Sequence, residues 1–236
     1  CGLTAAVVAL LVSAGWYLLL VAVWPATMRP YIGGSQHNSI LELALGYNGL
    51  GRITGEETGG LGNMNSDVGW ARLFGAEMGT HIAWLLPAAA IAIVAGLVIL
   101  RRAPRTDITR AALLLWSGWL VVTAVVFSFA NGILHPYYTV ALAPAIAGGL
   151  AIGTALLWRH RTDIRAATTL SGMVVITGVL AYLLLQRDSQ WLSWLRVVVV
   201  VAAIGCALLL LVVVRLPRRV GVAVGMVAVV AALAGP

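Results

Sequence analysis

The chain has 236 residues, 61% of them hydrophobic and 10% charged, with a formal charge of +7. Its mean hydropathy of +0.98 leaves too little polar surface for a water-soluble domain of this length, so the expected solvent is the bilayer. All fifteen basic residues are arginine and most sit in short clusters between apolar runs, a pattern that sets membrane topology and gives no reason to expect nucleic acid as a partner.

About 20 apolar residues cross the hydrocarbon core. In chain order the runs that qualify are Leu3–Val23, Thr80–Leu100, Ala111–Ala130, Tyr138–Trp158, Ala166–Leu185, Leu192–Val214 and the shorter, Gly-containing Val220–Leu233. The expected fold is therefore all-α: a polytopic transmembrane helix bundle of about seven spans. One transmembrane domain covers 1–236, and a long extracytoplasmic loop, 25–79, is inserted between the first and second spans. The missing initiator Met and the abrupt ends at Cys1 and Pro236 are what a piece of a larger protein would show. Cys206 lies in mid-span and reads as an inert small apolar residue.

The linkers alternate in character. Arg101–Arg110, Arg159–Arg165 and Arg215–Arg219 hold ten of the fifteen arginines. The loop after the first span, Asn131–Tyr138 and Gln186–Trp194 are Arg-poor and rich in Trp and Tyr. The positive-inside rule puts the first set, and the N-terminus, in the cytoplasm, and the second set outside a bacterial plasma membrane. Trp24, Trp70, Trp84, Trp158, Trp191 and Trp194 fall near span ends, as an interfacial aromatic belt would.

Inside the long loop, Ser39–Tyr47 has helical spacing. Asn38 or Ser39 would cap it, and Gly46 or Gly49 would end it. Glu56–Asp67 reads as flexible. Val68–Met78 sets Trp70, Leu73 and Phe74 opposite Arg72 and Glu77, which predicts a short helix in the headgroup plane. Glu42 could pair with a nearby arginine, and Glu56–Glu57 reads as a solvated acidic patch.

Chemistry-bearing motifs are few. The four histidines are dispersed, no HExxH occurs, and the cysteines add no ligands, so no metal and no cofactor is identifiable. Gly49–Gly55 (GLGRITG) lacks the GK[ST] ending of a phosphate loop, and GxSxG is absent. His81 and Arg196 sit at span ends, and the spans carry no relay of carboxylates and histidines such as a proton-coupled pump needs. Arg29, Arg52 and Arg72 could each grip a phosphate with a bidentate fork or serve as solvated charges. Tyr31, Tyr47, Asn38 and Asn48 offer stacking faces and amides of the kind that sugar sites use. In His135–Tyr138 (HPYY), Pro136 suits the first turn of a helix. Two readings stand there: a helix start that attracts a lipid phosphate, helped by His135, Tyr137 and Tyr138, or an aromatic belt with a helix-start proline.

Two phrases, RPYIGGSQHNSILELALGYNGLGRITG and NGILHPYYTVALAPAIAGGLAIG, resemble those of polytopic glycosyltransferases of the GT-C type. The likeness is to the actinobacterial branch of the group that includes protein O-mannosyltransferases and the aminoarabinose transferase of lipid A modification. It spans roughly Trp16–Gly153. It implies transfer of a hexose, mannose-like, from a polyprenyl-phosphate donor to a protein or to a glycan or lipid of the cell envelope. It further implies that Arg29, Tyr31, Asn38, Tyr47, Asn48, Arg52, His135, Tyr137 and Tyr138 contact the lipid phosphate and the sugar. The family's catalytic Asp lies in an acidic phrase of its first outer loop, and no such phrase occurs here. The chain is then expected to be the later part of the membrane domain, without turnover alone, since a general base must deprotonate the acceptor. A transporter or lipid flippase segment and a non-catalytic membrane scaffold are the alternatives.

Overall fold

The structure is a computed structural model and describes residues 2–55, 68–188, 192–212 and 218–233. The Glu56–Asp67 stretch with its acidic pair, Cys1, Trp191 and Arg215 lie outside the described residues. Among the described residues every regular element is helical.

Six helices are long and apolar enough to cross a membrane: Gly2–Val23, Gly79–Ile99, Ile108–Phe129, Pro136–Arg159, Ile164–Leu185 and Ser193–Val212. Their limits fall within about three residues of the apolar runs, because the runs themselves are close to the length a bilayer demands. The last helix, Arg218–Leu233, has 16 residues, shorter than the roughly 20 of a full span. The α-helices in chain order are α1 (Gly2–Val23), α2 (Gly51–Thr54), α3 (Gly79–Ile82), α4 (Leu86–Ile99), α5 (Ile108–Phe129), α6 (Ala143–Arg159), α7 (Ile164–Leu185), α8 (Ser193–Val212) and α9 (Arg218–Leu233).

The chain divides into two compact units, Cys1–Gly69 with Phe129–His135, and Trp70–Ser128 with Pro136–Pro236. The first holds α1, the long loop as far as Gly69 and the segment that follows α5. No residue of α1 is buried. The helix stops where Pro25 withholds a backbone donor.

The second unit is the helical bundle. Lipid gives apolar side chains no reason to leave it, so helices join where small residues let backbones approach. Gly149 and Gly153 of α6 do this against Ala92, Ile93 and Gly96 of α4. Ile93 faces Gly149, and one turn further on Gly96 faces Gly153 and Leu156, so α4 and α6 are parallel. Gly178 of α7 lies against Ala203 of α8, and the Ser171 hydroxyl donates to Ala207 O at 2.9 Å. Ala181 packs with Val199, so α7 and α8 form an antiparallel hairpin.

Two spans of this unit begin irregularly, for the same reason. Ahead of α4 the chain passes through α3 and a 3-10 turn at Ala83–Leu85, and Pro87 then occupies the first turn of α4. Ahead of α6 a 3-10 stretch, Pro136–Leu142, leads to Pro144. Pro144 has no N–H to close a 3-10 bond with Ala141 O. The Trp119 indole N–H donates to that carbonyl at 2.9 Å instead.

The segment expected to be a headgroup-plane helix is a series of turns. Val68–Met78 contains one 3-10 turn, Arg72–Phe74, after which Gly75 is extended. Gly69, at φ +144, and Gly75 interrupt any longer helix. The expected faces hold in part: Leu73 is buried and Glu77 exposed, but Arg72 is also buried, 2% exposed, while Trp70 is 67% exposed. Arg72 Nη1 donates to Phe127 O at 3.3 Å, which offsets the cost of burying the charge.

Candidate functional site

The first unit is built by polar side chains that close on the backbone. Arg29 Nη1 donates to Val21 O at 2.6 Å and to Trp24 O at 3.2 Å. These carbonyls, in the last turn of α1 and just beyond it, lack helical partners and stand at the negative end of the helix dipole. Arg29 Nη2 donates to Asn38 O. Asn38 takes φ +52, a conformation that asparagine tolerates better than most residues. Its Oδ1 accepts from Ile32 N–H at 2.7 Å and its Nδ2 donates to Ala26 O at 3.2 Å. Buried Ser35 donates through Oγ to Ile32 O and accepts from Ser39 N–H. The Tyr31 hydroxyl donates to Ser35 O while its ring stays 69% exposed.

Ser39 is the residue that caps the loop helix: its Oγ accepts from Glu42 N–H at 3.3 Å. Glu42 does not pair with an arginine. Its carboxylate accepts from Gln36 N–H and His37 N–H, each at 3.0 Å, and lies 3.5 Å from His37 Nδ1. Those two backbone donors, chiefly that of His37, hold its pKa below the ordinary value of 4.5. A depressed carboxylate pKa means the stabilisation is complete above the unfolded value and is lost as pH falls through the folded one. The Gln36 and His37 amides are thus expected to lose hydrogen-exchange protection on acidification below pH 4.5. The variant Glu42→Gln should show weak protection at every pH. Equal protection at neutral and acid pH in the unsubstituted protein would contradict this.

The loop helix does not end at Gly46 or Gly49. It is π-helical over Glu42–Leu50, kinks at Gly49, and runs on through α2 to Gly55, whose φ of +84 terminates it. Gly55 is the residue that takes the left-handed stop, and Cβ there would meet Asn131 Cβ at 2.9 Å. The wide turn and the kink have a consequence. Residues five apart on an α-helix point about 140° apart, yet the Arg52 guanidinium lies 4.5 Å from the centre of the Tyr47 ring. Gly34, at φ +85, also lies against that ring and leaves no room for a Cβ.

Arg52 then holds the segment after α5. Its Nη1 donates to Ile133 O. Its own carbonyl accepts from Gly132 N–H at 2.9 Å, and Ile53 O accepts from Asn131 N–H at 3.1 Å. His135, two residues beyond Ile133, belongs to this unit and is exposed, as is Asn48. Tyr137 and Tyr138 belong to the second unit, where their rings meet edge to face with centres 4.7 Å apart. The structure thus joins Arg29 with Asn38, Tyr47 with Arg52, and Arg52 with the backbone leading to His135. Among the described residues no group of three or more His, Cys, Asp or Glu could hold a metal ion.

Sequence reasoning passed over Ser35 and Arg187. Arg187 Nη1 donates to Gly75 O at 2.7 Å and Nη2 to Phe74 O, fixing the turn that follows Arg72. Its one signal in the sequence is a single arginine directly after an apolar run in an otherwise Arg-poor stretch.

The chain is 27% identical over 295 residues to the Bacillus subtilis (strain 168) protein named "Putative mannosyltransferase YkcB", covering 84% of this chain and 41% of that protein. It is 26% identical over 250 residues to "Putative mannosyltransferase YycA" of the same strain, covering 70% of this chain and 36% of that protein. These likenesses support a mannosyltransferase-like family. The chain spans about two fifths of the length of the curated relatives it matches. No family model matches it, and no solved structure matches it significantly.

Proposed function

We propose that the protein containing this chain is a membrane glycosyltransferase of the GT-C type. It moves a mannose-like hexose from a polyprenyl-phosphate donor to a protein, glycan or lipid acceptor on the outer side of a bacterial plasma membrane. The observation that carries this reading is the likeness, over most of the chain, to two proteins named mannosyltransferases. The all-helical membrane fold fits a donor with an isoprenoid tail. The N-terminus of the chain is cytoplasmic and the 25–79 loop outside, as the arginine asymmetry of the linkers favours.

Within the first unit Arg52 and His135 supply the cationic and hydrogen-bonding groups for the donor phosphate, and Tyr47 and Asn48 a ring edge and an amide for the sugar. Arg29 and Asn38 act one step back, by shaping the loop, and the exposed Tyr31 ring borders it. Glu42 is a poor proton acceptor, because backbone donors stabilise its ionised form. The general base comes from another part of the whole protein.

The test is donor identity. Full-length protein in proteoliposomes should label acceptor from polyprenyl-phosphate mannose and not from nucleotide-linked mannose. Labelling from the nucleotide sugar alone would overturn the donor assignment. Movement of the lipid-linked sugar across the bilayer without acceptor labelling would favour a flippase.

A further inference from the structure

The second unit carries a set of arginines that no described carboxylate answers. The bundle packing fixes where they are. α4 and α6 run parallel, a short connection turns the chain back from α6 into α7, α7 and α8 are antiparallel, and Gly225 of α9 lies against Trp158 at the end of α6. The linkers that leave those helix ends therefore emerge at one end of the bundle. They bring Arg101, Arg102, Arg105, Arg159, Arg165 and Arg219 to that end, all exposed.

Two carboxylates lie nearby, and neither comes within ion-pair distance of a described guanidinium group. Asp107 Oδ1 accepts from Arg110 N–H at 2.7 Å, and Asp163 Oδ1 caps α7 by accepting from Arg165 N–H at 2.9 Å. Within the described residues, then, none of the six guanidinium groups is neutralised. Such a cluster raises the local potential and attracts anions.

Apolar side chains stand among these charges. Ile108 is 84% exposed, Ile164 65% and Val220 45%. Arg161 stacks over Trp158 at 5.1 Å, an arrangement in which the ring sits at headgroup depth and the cation above it. A soluble acidic peptide or an RNA would meet the arginines and leave these residues wet. A phospholipid satisfies both, with phosphate on guanidinium and acyl chain on Ile and Val.

We propose that this end of the bundle is a binding surface for anionic phospholipid, of the phosphatidylglycerol class, which supplies the missing counter-charge. The inference does not depend on the transferase reading. One arginine–headgroup contact corresponds to about a fivefold preference.

Electron spin resonance with spin-labelled lipids tests it on the full-length protein in phosphatidylcholine bilayers. Labelled phosphatidylglycerol should be immobilised at least about fivefold more strongly than labelled phosphatidylcholine at low salt. The preference should fall toward unity in molar salt, where the Debye length is about 3 Å. Arg101→Gln with Arg102→Gln and Arg105→Gln should lower it, and the same three positions changed to Lys should keep it. Should the Gln variant fail to insert, the salt titration and the Lys variant carry the test. Equal immobilisation of the two lipids at low salt, or a preference indifferent to salt, would overturn the proposal.

Discussion

Gly153→Val is expected to prevent the bundle from assembling. A Cβ at Gly153 would overlap Ala92 O, lie 2.5 Å from the Ala92 carbonyl carbon and lie 2.8 Å from Ala92 Cβ. The obstacle is helix backbone, which cannot rotate away as a side-chain tip can. Overpacking typically costs about 1–3 kcal/mol even where neighbours yield, so valine here should exceed about 3 kcal/mol. Gly205 is the control. A Cβ added there would meet nothing within 4 Å, so Gly205→Ala should be neutral or should gain up to about 1 kcal/mol from helix propensity. Thermal unfolding in detergent, followed by circular dichroism, separates the two. A Gly153→Val protein that melts with the unsubstituted one would show that α4 and α6 do not meet through Ala92 and Gly153.

Arg52→Ala is expected to release the Asn131–His135 segment. The substitution removes a charged hydrogen bond to Ile133 O and the stack on Tyr47. Hydrogen bonds to charged groups contribute about 1.5–3 kcal/mol, and an exposed cation–π contact about 0.5–1 kcal/mol. The backbone bonds Gly132 N–H to Arg52 O and Asn131 N–H to Ile53 O survive in the variant. Exchange of the Asn131 and Gly132 amides should therefore quicken by roughly tenfold or more, a loss of about 1.4 kcal/mol or more of local protection, while α7 and α8 exchange as before. Arg52→Lys keeps the charge without the planar fork, so it should recover only part of the protection. Unchanged exchange in Arg52→Ala would mean that the guanidinium does not hold the segment.

Most of the bundle was legible because its rules are local. An uninterrupted apolar run of bilayer length becomes a helix whatever surrounds it, which is why Leu3–Val23 and Ala166–Leu185 correspond to α1 and α7. Pro87 and Pro144 lie in the first turns of α4 and α6, just after the two irregular starts. The loop was harder. Tyr47 and Arg52 stand five apart, a spacing that α-helical reasoning ignores and that only a π-helical stretch with a kink brings together. Arg29, Arg52, Arg72 and Arg187 all donate to backbone carbonyls. A carbonyl has no residue identity, so such bonds leave no pattern in the sequence, and the same arginines read equally well as phosphate ligands. Glu42 misled in the same way: its partners are the backbone amides of Gln36 and His37.

If the first unit is shaped to present Arg52 and His135 to a lipid-linked sugar phosphate, removing the Arg52 guanidinium must slow transfer. The most direct measurement is the donor comparison made with the unsubstituted full-length protein and Arg52→Ala side by side. Acceptor labelling from polyprenyl-phosphate mannose is expected in the first, and a loss of at least about tenfold in the second, as one charged hydrogen bond would give. Equal rates from the two proteins, or labelling in either that requires nucleotide-linked mannose, would contradict it.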